Sequence, residues 1–335
     1  MRAGGLAALL LALALAVDHH HAAAAPGQPA VRITAFHPPS GTRFPGDDAA
    51  ARVRVRNDGP RAATLWIGYS VRDPAGRWHD VASRPVTLAA GEESAPIVRS
   101  WRVPADAATG PHRVVVAVWS APPERPGSVR LAGADRHAAF TVFRRLDEFA
   151  ALDTARWRRG SHPLGRGHVV PRNVAVEGGK LRLSLSADGH RGAELRSRTR
   201  HLHGSYAARM RAAPVPGTIT ALFLYQDVAE GNDEIDVEIV NVPPARIILA
   251  TWVGGEITNR AELPLPFDPA ADFHDYRIDF HPGTVAFLVD GVELQRWTRG
   301  LPTRPMRLMV NAWWPRWLTA PPAATGVAEV DWIRY

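Results

Sequence analysis

The sequence predicts an all-β protein made of two β-sandwich domains. Most of the 335-residue chain consists of short runs in which apolar and polar residues alternate, and period-two alternation is typical of half-buried strands. Turn-forming segments separate the runs, such as Asn-Asp-Gly-Pro at 57–60 and Asp-Gly at 290–291. Strands at this spacing favour sheets that pack face to face.

The N-terminal segment 1–25 is predicted to be a signal peptide. Arg2 is followed by the apolar run 6–17, which is too short to span a bilayer comfortably, and small residues at 22–25 suit a cleavage site. No later segment is long and apolar enough for a transmembrane helix. We therefore expect a secreted or periplasmic protein.

The composition excludes several classes of function. The chain has no cysteine, so disulfides and thiolate chemistry are absent. Its net charge is +7, and Lys180 is the single lysine among 40 basic residues. The arginines are scattered without a run or a basic stripe, which argues against nucleic-acid binding. An acidic polysaccharide remains open as a partner.

Residues 30–143 are predicted to form an immunoglobulin-like β-sandwich accessory module. Alternating runs at 51–55, 64–71, 97–103 and 113–119, with turns between them, predict its strands. The module contains Trp66, Tyr69, Trp78, Trp101 and Trp119. We expect most of these aromatic side chains to fill the core, the alternative being that exposed ones stack on sugars.

Residues 146–335 are predicted to form a second, larger β-domain. Its strand candidates are 180–185, 204–210, 218–225, 234–240, 247–253, 275–280, 285–289, 306–312 and 327–335. So many strands indicate two large sheets packed face to face. No dinucleotide fingerprint, Walker loop or zincin His/Glu spacing occurs.

The segment 233–240, Asp-Glu-Ile-Asp-Val-Glu-Ile-Val, is the strongest functional signal. Alternation places Glu234, Asp236 and Glu238 on one face of a strand. Like charges placed this way cost stability, whereas a site that needs carboxyl groups of different pKa benefits from them. The alternative is a solvent-facing strand with arginine partners.

The spacing of Glu234 and Glu238 favours one stereochemical outcome. Their Cα atoms lie roughly 13 Å apart along a strand, and side chains that lean together can approach the separation of about 5–5.5 Å that a retaining glycosidase needs. Asp236 lies between them and is expected to orient one glutamate and share its proton. The spacing alone leaves open which glutamate is the nucleophile and which the acid.

Several motifs resemble glycoside hydrolase family 16, the retaining β-glucanases that include lichenases, laminarinases and xyloglucan transglycosylases. They occur in family order over nearly all of 148–335. The motifs are Glu-Ile-Asp-Val-Glu at 234–238, Asn-Val at 173–174, Gly-Gly-Lys-Leu at 178–181, Ala-Glu-Leu-Arg-Ser at 193–197, Phe-His-Asp-Tyr at 273–276, Val-Asp-Gly at 289–291 and Asn-Ala-Trp at 311–313.

The resemblance implies a concanavalin A-like jelly roll with a sugar-binding cleft across one sheet. It implies that Glu234 is the nucleophile, Glu238 the acid/base and Asp236 the helper between them. It nominates as polar sugar contacts Asn173, Glu194, Arg196 and Asn311, and as stacking platforms Tyr225, Trp252 and Trp313. We also expect Trp314 and Trp317 in the cleft, because tryptophans among prolines and an arginine are poor core material.

The expected function is secreted, endo-acting hydrolysis of β-1,3-1,4 or β-1,3 linked β-glucan by a monomer that requires no cofactor. Some relatives hold a structural calcium ion, but this sequence shows no recognisable pattern of calcium ligands. The alternatives are a transglycosylase, in which an acceptor sugar outcompetes water, and a non-catalytic glucan-binding protein.

Two departures from the family pattern bear on substrate. The acidic motif has one residue between Asp236 and Glu238, which lacks the laminarinase bulge and favours the lichenase and xyloglucan-active branches. Lichenases commonly have an aromatic residue where this chain has Asn232, and the segment 313–320 is shorter and richer in tryptophan. Linkage specificity is therefore not fixed by the resemblance.

Overall fold

In the computed structural model, the described residues are 29–228, 230–242, 244–318 and 324–335. The signal peptide predicted at 1–25 lies outside them. Within this part of the chain the structure contains strands and two short 3₁₀ helices and no α-helix. None of its helical turns has the length and apolar character needed to cross a membrane.

The N-terminal strands form a two-sheet sandwich. They are β1 Val31–His37, β2 Thr42–Arg43, β3 Asp48–Asn57, β4 Ala63–Arg72, β5 Trp78–Leu88, β6 Ile97–Arg102, β7 Gly110–Trp119 and β8 Arg130–Val142. One sheet has the order β1-β3-β6 and the other β2-β8-β7-β4-β5. Between them lies a core that is separate from that of the following strands. The immunoglobulin-like assignment and the boundaries 30–143 and 146–335 remain predictions.

The aromatic residues of this sandwich divide between core and surface. Tyr69 and Trp101 are buried in its core, as expected for core-filling aromatics. Trp78 differs, since it lies on the edge strand β5 with 48% of its surface exposed and Arg72 over its ring.

The remaining strands form two larger sheets. They are β9 Leu146–Asp147, β10 Trp157–Arg159, β11 His162–Leu164, β12 Gly167–Val169, β13 Val174–Glu177, β14 Lys180–Leu185, β15 Arg191–His201, β16 Gly204–Arg211, β17 Thr218–Tyr225, β18 Glu234–Asn241, β19 Arg246–Val253, β20 Glu256–Pro264, β21 His274–His281, β22 Thr284–Val289, β23 Val292–Trp297, β24 Met306–Trp313 and β25 Gly326–Arg334.

The sheet order places the acidic strand in the interior of one layer. That layer has the order β11-β12-β15-β24-β17-β18-β19-β20, with β10 beside β15. The opposite layer has the order β13-β14-β25-β16-β21-β22-β23, with β9 beside β25. Ile235, Val237 and Ile239 are fully buried between the layers, so the acids that alternate with them face the other way.

The pairing of β18 is regular on both sides. Each residue from Glu234 to Val240 has a partner on β17 and on β19, with no register shift. The single residue between Asp236 and Glu238 therefore produces no bulge, as the sequence indicates. Because a slip of one residue would exchange the two faces of the strand, this pairing fixes where the acids point.

Deleting one buried side chain from the β22–β23 hairpin should destabilise the fold. Val285 is fully buried, whereas Val292 on the partner strand is 63% exposed. Val285→Ala removes buried apolar surface and leaves a cavity, so we expect a loss of about 2 kcal/mol in the free energy of unfolding. The matched Val292→Ala should change it by less than about 0.5 kcal/mol. Urea unfolding of both variants measures this, and equal losses would contradict the assigned register.

Candidate active site

The register of the central strands aligns the candidate residues in rungs across the sheet. Glu234 lies between Tyr225 on β17 and Trp252 on β19. Glu238 is opposite Ala221, and Asn311 and then Glu194 continue that rung across β24 and β15. The alternation predicted from the sequence thus brings residues distant in the chain to one face.

These residues line a cleft with a volume of about 800 Å³. All three acids of β18 contribute to its floor. Ile248, Phe223 and Met309 form an apolar patch on the same face, separate from the core between the sheets. Carboxylates surrounded by apolar walls are poorly hydrated, and this environment disfavours their charged forms.

Burial is the main cause of unusual pKa values in the three acids. It raises the pKa of Glu238 to about 8, with a further rise from the charge of Asp236 and a partial offset from Arg260. Burial and the charge of Glu234 raise the pKa of Asp236 well above its usual range. Burial and the charge of Glu238 also raise the pKa of Glu234, to about 7, although hydrogen bonds from Asp236 and Asn232 oppose the rise.

The hydrogen bonds distinguish the three acids. Asn232 Nδ2 donates to Glu234 Oε2 over 3.0 Å, and a donor of this kind favours the ionised carboxylate. Trp252 Nε1 donates to Asp236 Oδ2 over 2.9 Å. The pKa of Glu238, about 8, is higher than that of Glu234, about 7, so Glu238 is the glutamate that keeps its proton at neutral pH. One glutamate is thus favoured as an anion and the other as an acid.

Asp233, the first acid of the run, has a different role. It is fully buried, and its oxygens accept backbone N–H groups of Gly254 at 3.1 Å and Thr303 at 3.0 Å together with the side chain of Arg304. Burial alone would raise its pKa, but the bonds from Arg304 and the backbone lower it. Asp233 therefore ties three chain segments together at the start of β18.

Most of the polar residues expected to contact sugar do line the cleft. Glu194, Arg196, Tyr225 and Asn311 are all found there. Glu194 is almost fully buried, and its Oε1 lies 3.1 Å from His162 Nε2. This contact is the largest cause of a raised pKa at His162, so Glu194 favours the protonated imidazole, with which it forms a charge-assisted hydrogen bond.

Asn173 is placed elsewhere. It belongs to the 3₁₀ helix 171–173, is buried, and its amide nitrogen donates to the carbonyl oxygens of Ser184 and Arg191, each over 3.0 Å. It does not line the cleft. The expected sugar contact does not fit this placement, because the amide is used to join backbone segments at the sheet edge.

The three tryptophans of 313–317 lie in two different environments in the structure. Trp313 and Trp317 line the cleft, and Trp317 is 53% exposed. Trp314 is buried in the core between the sheets, with its ring edge-on to His190. Our expectation for Trp314 was wrong because β24 ends at Trp313, and the backbone beyond it turns this ring inward while its neighbours stay outside.

Sequence reasoning missed four residues of the site: Asn232, Asp233, His162 and Arg260. Asn232 had a signal, since it departs from the aromatic residue usual at that position. Asp233 begins the acidic segment, but its role was not predicted, and His162 and Arg260 had no signal, because all three roles depend on contacts with residues far away in the chain.

No group of three or more His, Cys, Asp or Glu side chains is arranged to hold a metal ion in the part of the chain that the structure describes. The expectations about cofactors and calcium stay predictions.

A two-sheet sandwich whose cleft is lined by carboxylates and aromatic rings is typical of a polysaccharide-active protein. A model of the family "Glycosyl hydrolases family 16" matches residues 168–334. A β-glucanase of Paenibacillus macerans is 30% identical over 167 residues, which are 47% of this chain and 70% of that protein. The chain belongs to glycosyl hydrolases family 16.

Two further comparisons show how much of the chain is similar to known proteins. A β-glucanase of Acetivibrio thermocellus is 27% identical over 202 residues, 56% of this chain and 60% of that relative, so the match leaves part of each protein uncovered. The crystal structure of a β-1,3-1,4-glucanase (lichenase) from a mouse hindgut metagenome has a TM-score of 0.53 and 27% identity, covering 57% of this chain and 97% of that one. The predicted jelly-roll fold is confirmed by this likeness.

The raised pKa of Glu238 predicts a pH-dependent cost in stability. The folded state holds this proton up to about pH 8, while the unfolded chain releases it near 4.5. The folded state therefore binds more protons in this window, and stability falls as pH rises through it. Glu238→Gln should raise the melting temperature at pH 8.5 by about 2–4 °C, the shift expected for roughly 1 kcal/mol in a domain of this size.

The comparison at pH 4 serves as an internal control, since wild type and Glu238→Gln should then melt together. Glu256→Gln makes the same change at an exposed position on β20 and should leave the pH dependence as in wild type. A Glu238→Gln variant no more stable than wild type at pH 8.5 would contradict the burial cost.

Proposed function

We propose that this protein is a secreted, retaining, endo-acting glycoside hydrolase that cleaves β-glucan. One observation carries this proposal. Three carboxyl groups occupy consecutive cleft-facing positions of one strand, and the pKa of Glu234, about 7, is lower than that of Glu238, about 8, so Glu234 ionises first and Glu238 keeps its proton longer. Family membership is consistent with this assignment, and no plain structural role explains three adjacent carboxyl groups in an apolar cleft, where burial penalises their ionisation.

The two glutamates divide the chemistry of a double displacement. Glu234 attacks the anomeric carbon and forms a glycosyl ester, while Glu238 gives its proton to the departing sugar oxygen. Glu238 then removes a proton from water, which hydrolyses the ester and restores both side chains. Asp236, held by Trp252, is placed to share a hydrogen bond with Glu234 and to stabilise its charge as it forms and departs.

The cleft supports a polymeric substrate. It reaches across the sheet from β20 to the β11 hairpin, and exposed rings such as Trp317 offer stacking surfaces for sugars. The relatives named β-glucanase and lichenase support a β-glucan with β-1,3-1,4 or β-1,3 linkages. An open cleft that holds several sugar units favours attack within the chain.

Removing the nucleophile should abolish turnover and permit chemical rescue. Glu234→Ala should lower kcat by at least about 10⁴-fold, the order seen when a covalent nucleophile is deleted. With an activated aryl β-glucan oligosaccharide, azide can enter the vacated space and attack directly. We expect an α-glycosyl azide, identified by NMR, because a single displacement inverts the anomeric carbon.

The matched variant is Glu238→Ala, from which azide should yield a β-glycosyl azide, since the ester on Glu234 still forms. Rescue of Glu234→Ala with retained configuration would reverse the two roles. Undiminished hydrolysis by Glu234→Ala would refute the proposal. Wild-type products that lengthen when oligosaccharide acceptors are added would indicate transglycosylation.

The hydrogen bond from Asn232 should control the acidic limb of the activity profile. It stabilises the Glu234 carboxylate, so Asn232→Ala should raise the pKa of Glu234 and move the acidic limb of kcat/KM to higher pH. A charge-assisted hydrogen bond predicts a shift of about one pH unit. Asn259→Ala, on β20 without contact to the acids, should leave the limb in place. Equal shifts in both variants would contradict the role of Asn232.

A further inference from the structure

A small side pocket rich in arginine adjoins the cleft beyond β24. It has a volume of about 80 Å³ and is lined by Arg158, Arg196, Ser197, Arg198, Asp227 and Arg307. Arg196 and Asp227 also line the cleft, so the two spaces share a wall. The pocket accommodates the volume of a few water molecules, which suits a substituent on a sugar better than a sugar ring.

The charges in this pocket are not balanced. Asp227 is already paired with Arg200, 2.6 Å from Nη2 to Oδ1, and with Arg307, 2.9 Å from Nε to Oδ2. Those contacts lower the pKa of Asp227 although burial opposes this, so the aspartate stays ionised and shared. Within the described residues, Arg158 and Arg196 have no carboxylate at ion-pair distance.

The register places the two unpaired arginines side by side. Arg158 on β10 is directly opposite Arg196 on β15, and like charges in that relation repel. Both residues belong to paired strands, so the backbone holds their Cα atoms side by side; the Arg158 side chain is exposed and that of Arg196 is half-buried. Two neighbouring guanidinium groups without a carboxylate partner suit an anion with several oxygens.

The distance between this pocket and β18 indicates which sugar unit of a substrate would lie beside the pocket. Arg196 shares a rung with Met309, Phe223 and Asp236. It is three strands from β18, a distance of roughly 14 Å, and Arg158 is four strands away at roughly 19 Å. A group bound there would belong to a sugar further along the chain than the one being cleaved.

We propose that this pocket is a subsite for an anionic substituent, a carboxylate or a sulfate ester, on the polysaccharide. This inference rests on the proposed hydrolysis of β-glucan and adds to it a preference for chains that bear acidic groups. Arg158 and Arg196 bind the anion, and Arg307 is held beneath them by Asp227 and by the Ser197 carbonyl oxygen. The neutral backbone of the polymer occupies the cleft floor.

The test compares acidic and neutral forms of one substrate. Mixed-linkage β-glucan oligosaccharides are used untreated, oxidised at C6 to glucuronate, or sulfated at C6. The ratio of kcat/KM for each acidic form to that for the neutral form should fall about tenfold in Arg158→Ala. The matched Arg172→Ala, which removes an exposed arginine of the same domain outside the pocket, should leave this ratio unchanged.

Each outcome has one meaning. A fall confined to the oxidised chains identifies a carboxylate as the ligand, and one confined to the sulfated chains identifies a sulfate ester. A ratio that Arg158→Ala leaves as in wild type, or that Arg172→Ala lowers equally, overturns the subsite. Calorimetric binding of the oxidised oligosaccharides to Glu234→Gln, with and without Arg158→Ala, tests the subsite without turnover. If wild type cleaves no neutral glucan but this binding depends on Arg158, the β-glucanase proposal fails and the subsite stands.

Discussion

The site depends on one constraint, the orientation of β18, which has one face in the hydrophobic core and the other in the cleft. Ile235, Val237 and Ile239 are buried on one side, and their removal from water favours this register over any other. The same alternation forces Glu234, Asp236 and Glu238 into the cleft. Stability supplied by the apolar residues therefore holds three carboxyl groups together in a place where burial and mutual repulsion disfavour their charged forms.

The surroundings assign different protonation states to chemically similar neighbours. Asp233 and Asp236 are both aspartates on the same segment, yet the pKa of the first is lowered and that of the second is raised. Both are buried, but Asp233 meets Arg304 and several N–H donors, whereas Asp236 meets another carboxylate and one indole N–H. The same reasoning applies to the two glutamates, since Glu234 accepts a hydrogen bond from Asn232 and has a lower pKa than Glu238. Hydrogen-bond donors decide where charge is tolerated when burial is shared.

The sequence predicted the elements whose pattern is local. Strands such as β14 and β17 match their predicted bounds, because β14 alternates polar and apolar residues and β17 is a short apolar run that follows a turn. β15 and β20 were not predicted as strands. In β15, Arg191–His201, the polar residues Glu194 and Ser197 are buried, and β20 is an edge strand with a mostly exposed, polar surface. Both therefore lack a clean alternation of apolar and polar residues.

Contacts between distant segments explain the remaining differences. Trp314 and Asn173 look like ligand-binding residues in the sequence, but their positions depend on where a strand ends and on which carbonyl groups lie nearby. The acids of β18 were recognisable because a strand fixes their common face without help from the rest of the chain. The pairing of Glu194 with His162, and of Arg158 with Arg196, required the folded sheet.

The most direct test of the account is to identify the residue that carries the covalent intermediate. The protein would be incubated with a 2-deoxy-2-fluoro glycoside of a β-glucan oligosaccharide, denatured with acid, digested and analysed by tandem mass spectrometry. The account predicts one glycosyl group attached to Glu234. Attachment to Glu238, or none while the protein hydrolyses β-glucan with inversion, would contradict it.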